Sequence, residues 1–189
     1  MARKHGVTST TYTRFVIDSG AVYKNFGEAG ETLLGATRGG NSFKIESEQR
    51  VMEADGARGR VKGGIRVVNF AASITCNFIE LKRDLWPLML PGVTVADYPA
   101  TVGKTHDKYT RTADIASTDY VTNIAIVGNS TYSATNYVVV KLFNALSDGN
   151  LELAFTDKNE AAPAVTFMAH FDPSTLDTDP FEILCPIIG

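Results

Sequence analysis

Ile65-Arg66-Val67-Val68-Asn69-Phe70-Ala71-Ala72-Ser73-Ile74-Thr75-Cys76-Asn77-Phe78 decides the fold. Its first half is β-branched and apolar. In its second half Ala72, Ile74, Cys76 and Phe78 alternate with Ser73, Thr75 and Asn77. A period of two places one set on a core and the other on the opposite face of a strand. The polar face here is neutral rather than charged.

The same period recurs on both sides of this stretch. From Phe43 to Val51 one face reads Phe43, Ile45, Ser47, Gln49, Val51, and the other Lys44, Glu46, Glu48, Arg50. That pattern predicts a strand with one face on a core edge and one against water or a charged partner. Val121 to Val127 and Tyr137 to Phe143 are apolar on both faces, which predicts central strands. Leu151, Leu153 and Phe155 alternate with Glu152 and Ala154, and Ala164 to Phe171 closes the series. Asp18-Ser19-Gly20, between Phe15-Val16-Ile17 and Ala21-Val22-Tyr23, reads as a hairpin turn. Ser147-Asp148-Gly149-Asn150 and Thr156-Asp157-Lys158-Asn159-Glu160 read as further turns.

One short helix is expected. Asp84 is placed to cap it, Leu85, Trp86, Leu88 and Met89 supply its apolar side, and Pro87 falls in the first turn. Pro91-Gly92 stops it. Three stretches read as long loops: 25–41 with five glycines, 53–64 with four glycines beside Arg58, Arg60 and Lys62, and the polar 97–119. Loops of that length in a domain are commonly functional.

The 189 residues suffice for one domain with a real core. No apolar run approaches a bilayer span, and no apolar segment follows the basic Arg3 and Lys4, so neither a membrane segment nor a secretory signal is expected. Cys76 and Cys185 have no metal-like spacing and read as buried free thiols, with pairing left open for an oxidising compartment. Net charge is −3, unevenly spread. Residues 1–66 hold eleven Lys+Arg against seven Asp+Glu, residues 67–144 six of each, and residues 145–189 Lys158 alone against eight acids. Such a split suits a subunit that meets copies of itself through a basic and an acidic surface.

Catalytic signatures do not emerge. Gly103-Lys104-Thr105 resembles the end of a phosphate-binding loop, but the glycine required five residues earlier is Tyr98. His5, His106 and His170 lack ligand spacing. Asn129-Ser130-Thr131 matches a glycosylation sequon without secretory context, and Asp177 and Asp179 before Pro180 read as turn residues. Arg58, Arg60, Lys62 and Arg66 form a basic stretch with no reading helix. No enzyme, cofactor or sequence-specific nucleic-acid reader is expected. A lectin would want exposed aromatic platforms, and a lipocalin-like carrier a closed barrel.

Three ordered segments carry a family resemblance. The first is Gly35-Ala36-Thr37-Arg38-Gly39-Gly40-Asn41-Ser42-Phe43, then Arg50-Val51-Met52-Glu53-Ala54-Asp55-Gly56 and Val61-Lys62-Gly63-Gly64. The second runs from Ile74 into the helix and to Pro91-Gly92. The third is Val138 to Gly149, then Val165 to Asp172 and Pro180-Phe181-Glu182-Ile183. Together they resemble the tail tube (major tail) proteins of long-tailed, non-contractile bacteriophages, a family related in fold to the type VI secretion tube protein. The resemblance spans roughly Phe15 to Leu184.

It implies a mainly β fold: a β-sandwich rolled toward a barrel, with one short flanking α-helix and long inter-strand loops. It implies a single tail-tube domain over 1–189, with an N-terminal arm (1–14), inter-ring loops at 25–41 and 53–64, and a C-terminal arm (172–189). It implies a virion structural protein assembled in the host cytoplasm, whose hexameric rings stack into a hollow tube for DNA ejection. A tail terminator or head–tail connector ring is the alternative. The implied partners are further copies of the chain, a tape-measure protein, a tail terminator and a distal tail protein. DNA would pass the lumen without sequence-specific binding. Arg38, Arg50, Arg58 and Arg60 are expected to meet Asp172, Asp177 and Asp179 of a neighbouring subunit, with Ser73, Thr75 and Asn77 facing the lumen.

Overall fold

A computed structural model describes residues 6–8, 11–13, 15–53, 55–99, 104–131 and 133–186. The N-terminal arm and the Gly103-Lys104-Thr105 stretch therefore lie partly outside the described residues. In chain order the elements are β1 (Val16–Lys24), β2 (Thr32–Gly35), β3 (Thr37–Val51), β4 (Ile65–Phe78), α1 (Trp86–Met89), β5 (Val93–Pro99), β6 (Lys104–Arg111), β7 (Val121–Ser130), β8 (Ser133–Ser147), β9 (Ala164–Met168) and β10 (Phe181–Leu184). The fold is mainly β; among the described residues there is one short α-helix and every strand pair is antiparallel.

Eight strands form one sheet: seven follow the path β2-β1-β7-β8-β9-β4-β3, and β10 pairs with β8 off that path. The path turns at β8. Most of β8 pairs with β7 and β10, but its last residues, Leu146 and Ser147, pair with Met168 and Phe167 of β9. Side chains of the two halves meet in one core. Val22, Ile124 and Leu142 come from one, and Ile74, Cys76, Phe78, Val165 and Phe167 from the other, all fully buried. Asn41 Nδ2 donates to the Gly20 carbonyl at 3.1 Å, bringing β3 near β1. No ladder joins β1 to β3, so this β-sandwich-like arrangement stays open and does not close into a barrel.

The alternation in β4 sorts as its sequence predicts. Ala72, Ile74, Cys76 and Phe78 are buried, while Ser73, Thr75 and Asn77 are half-buried on the other face. The strands expected at Val121–Val127 and Tyr137–Phe143 are central β7 and β8.

Several expectations are corrected. Asp18-Ser19-Gly20 is a bulge within one strand: Ile17 pairs with Asn129 and Ala21 with Val127, so three residues of β1 face one of β7. The uninterrupted β7 pairs with both flanks and overrides the local turn signal. Gly20 takes φ +73°, where a Cβ would lie 2.6 Å from Ile126 Cγ2.

Residues 25–41 are not a loop throughout, since β2 and the start of β3 lie within them. The 25–31 turn is held from inside the chain. Asn123, 1% exposed, accepts from the Phe26 amide (2.7 Å) and donates to its carbonyl (3.3 Å). Phe26 packs against Tyr23 and Tyr137, with Lys141 Nζ 5.7 Å from its ring centre.

The polar 97–119 stretch contributes to a β5–β6 hairpin. Tyr109 stacks on Trp86 and Asp107 pairs with Arg83, docking this hairpin beside α1. The anchoring residues lie on different elements, which local sequence reading does not connect.

α1 is preceded by a 3-10 turn, Arg83–Leu85, and Leu85 occupies the cap position with no side-chain cap bond. Asp84 thus falls inside the preceding turn instead of capping. Burial holds this short helix: Leu85 and Met89 are 1% and 0% exposed. Ser147 Oγ also donates to the Met89 carbonyl at 2.9 Å.

Leu151 to Phe155 is not a strand. Its alternation is right for one, but among the described residues no strand pairs with it. The C-terminal segment contains β10, which the alternation reading misses because only four residues pair. Cys76 is buried as expected, whereas Cys185 is exposed.

Candidate assembly surface

β3 and β4 pair from Thr37↔Phe78 to Val51↔Ile65. At a rise near 3.3 Å per residue, β3 spans roughly 45 Å. The hydrophobic core uses only the end near Phe78. Beyond Phe43 and Phe70, which pack on Phe181 of β10, the hairpin continues as an arm. Residues 44–50 and 65–69 are exposed on both faces. Ile45, expected on a core edge, is 43% exposed because no second layer reaches it. Met52, Val61, Ile65, Val67 and Val68 are also exposed. The 52–64 connection is closed by hydrogen bonds from the Met52 amide to the Gly64 carbonyl (2.7 Å) and from the Gly64 amide to the Val61 carbonyl (3.0 Å).

The arm gathers positive charge. Arg50, Arg58, Arg60, Lys62 and Arg66 are exposed, and none forms an ion pair among the described residues. Arg50 and Arg66 are register partners. Like charges directly opposite one another on paired strands repel.

The other expected site residues are scattered. Arg38 lies at the far end of β3 and is engaged within the chain, 2.7 Å from Glu160 Oε2 and 3.4 Å from Asn159 Oδ1. Glu160 is held below the usual carboxylate range, first by its own backbone N–H and then by Arg38. Asp172 accepts from the Ser174 hydroxyl and amide, which lower its pKa in that order. Asp177 and Asp179 are exposed in the turns that follow. Thus Arg50, Arg58 and Arg60 share the arm, while Arg38 and the three aspartates lie elsewhere.

Ser73, Thr75 and Asn77 form one polar face with their strand neighbours. Thr75 Oγ1 is 3.0 Å from Thr166 Oγ1, and Asn77 Nδ2 donates to the Gly40 carbonyl at 3.2 Å. Lys44 pairs with Glu46 at one side of this face.

His170 Nδ1 is 3.1 Å from the Asn144 carbonyl, and its ring packs edge-on to Tyr120. Burial pushes the Cys76 thiol up to about 12, which leaves it unreactive at neutral pH. Among the described residues, no three His, Cys, Asp or Glu side chains are placed to hold a metal ion.

Sequence reasoning identified the arm's arginines but missed its exposed apolar flanks. Ile65 to Phe70 reads as a β-branched, apolar strand, and no local signal shows that the second layer ends before it. It also missed Phe155, which is 88% exposed.

No known family matches the chain, and no curated protein matches it. Among solved structures it is similar to a chain of the "Virion of native gene transfer agent (GTA) particle". That likeness has a TM-score of 0.45 at 8% identity, covering 82% of this chain and 92% of that one.

Proposed function

We propose that this chain is a virion structural subunit, a phage tail tube protein that assembles into stacked hexameric rings. The observation that carries the reading is the arm: a long two-stranded projection exposing Ile65, Val67 and Val68. Exposed apolar strands of this kind invite pairing and aggregation unless a specific partner covers them. The ordered segments resembling tail tube proteins supply the identity of that partner, further copies of the same chain.

In this reading Arg50, Arg58 and Arg60 belong to the inter-subunit surface. Arg38, Asp172, Asp177 and Asp179 flank neighbouring contacts. Ser73, Thr75 and Asn77 line the lumen, where a neutral polar face lets DNA slide without binding phosphates. The tape-measure protein, tail terminator and distal tail protein meet the tube at its inside and ends. The tube's role is passive conduction of DNA during ejection.

Electron microscopy of the purified protein across a concentration series tests the proposal. Hollow tubes are expected. Single rings that never stack point instead to a tail terminator or head–tail connector, and persistent monomers exclude both.

A further inference from the structure

The two ends of β3 carry opposite charge. At one end the tip of the arm, residues 50–66, holds Arg50, Arg58, Arg60, Lys62 and Arg66 against Glu53 and Asp55, a balance of +3. At the other, residues 148–160 hold Asp148, Glu152, Asp157 and Glu160 against Lys158, a balance of −3. This acidic segment is fixed to the Thr37–Phe78 end of the molecule. The Phe78 amide donates to the Pro163 carbonyl (3.1 Å), the Asp148 amide to the Thr166 carbonyl (2.9 Å), and Arg38 pairs with Glu160. The strand between the two ends spans roughly 45 Å, so arm and acidic segment do not meet within one chain.

Each end is also incomplete. The arm places Arg50 opposite Arg66 and exposes Val67 and Val68. The acidic segment exposes Phe155 at 88% and has strand-like alternation from Leu151 to Phe155 without a strand partner among the described residues. Carboxylates beside Arg50 and Arg66 would relieve their repulsion, and an apolar strand against Phe155 would cover it.

We propose that the arm of one copy docks on the 148–160 segment of the next, head to tail. Glu152 and Asp157 face the arm's Arg58 and Arg60, and Phe155 packs among its exposed valines. The contact is heterologous, so repetition generates a ring or an open stack rather than a closed two-fold dimer, and stacking of rings requires the open form. Asp172, Asp177 and Asp179 lie away from this end, since Phe171 before them packs on Phe70, toward the arm's base. The arm's partner in this proposal is the 148–160 segment and not these aspartates. The inference rests on reading the chain as a self-assembling subunit and names the acceptor for that assembly.

Charge exchange tests it. Arg58→Glu with Arg60→Glu reverses the arm, and Glu152→Lys with Asp157→Lys reverses the acceptor. All four positions are exposed, so thermal melts should match the parent. Sedimentation and electron microscopy should show each reversal raising the concentration needed for assembly at least tenfold. Combining both reversals in one chain restores assembly. Mixing the two reversed proteins also restores it, because each arm then finds an acceptor of opposite sign. If either reversal leaves assembly unchanged, or neither combination regains it, the docking assignment is wrong while self-assembly itself stands. A parent protein that stays monomeric at every concentration overturns both.

Discussion

Replacing Phe155 by serine should separate assembly from folding. The ring is 88% exposed and contributes almost nothing to the core. Substitutions at such sites ordinarily shift stability by no more than about 0.5 kcal/mol, so the melting temperature should hold. The same ring is worth about 1.5–3 kcal/mol when fully removed from water. Scaled by its present exposure of 88%, docking would gain roughly 1.3–2.6 kcal/mol per contact. That corresponds to roughly a 10- to 80-fold rise in the critical concentration for assembly when the ring is removed. Pelleting assays across a dilution series, alongside calorimetric melts, measure the two quantities independently. An unchanged critical concentration with an unchanged melt would refute the acceptor role of Phe155. A lowered melt would show that the ring packs within the chain, contrary to its exposure.

Other expectations follow from particular residues. Gly20→Ala forces a Cβ to 2.6 Å from Ile126 Cγ2 at φ +73°; a loss of about 1–3 kcal/mol in denaturant unfolding is expected. Thr75→Lys places a cation on the polar face opposite the core, and particles carrying it should eject DNA more slowly; normal ejection removes that face from the lumen. A thiol reagent should label only Cys185 in the folded chain and both cysteines in denaturant, since Cys76 is buried and its thiol is pushed up to about 12. Asp172 has a lowered pKa through Ser174, so its stabilisation is present above the ordinary carboxylate pKa and fades as pH falls through the folded value. Asp172→Asn should therefore lower the melting temperature at neutral pH, with the difference vanishing in acid.

Sheet content was legible because strands buried on one face impose a period of two on sequence. Ile74, Cys76 and Phe78 needed only that period to be assigned to the core. Turn chemistry was less dependable. Asp18-Ser19-Gly20 has the residues of a turn, yet ladder bonds to β7 on both flanks make it a bulge. The β5–β6 hairpin was invisible because its anchors, Trp86 with Tyr109 and Arg83 with Asp107, join distant segments. The basic stretch around Arg58 and Arg60 was visible as charge, whereas which acids of a neighbouring copy face it is set by assembly and not by local sequence. Asp172, Asp177 and Asp179 follow the same C-terminal excess of acid as Glu152 and Asp157.

By itself the sequence determined a mainly β chain, the inward face of β4, the central strands β7 and β8, and a basic beginning followed by an acidic end. Each is a local property: side-chain period and charge are written residue by residue. Only the tertiary structure decided where the second layer stops. Burial depends on which strand lies opposite, and that depends on pairings more than a hundred residues apart, such as Val16 with Ser130. The layer's limit leaves the apolar Val67 and Val68 as exposed surface. It also leaves Leu151 to Phe155, a strand by its pattern, without a strand partner among the described residues.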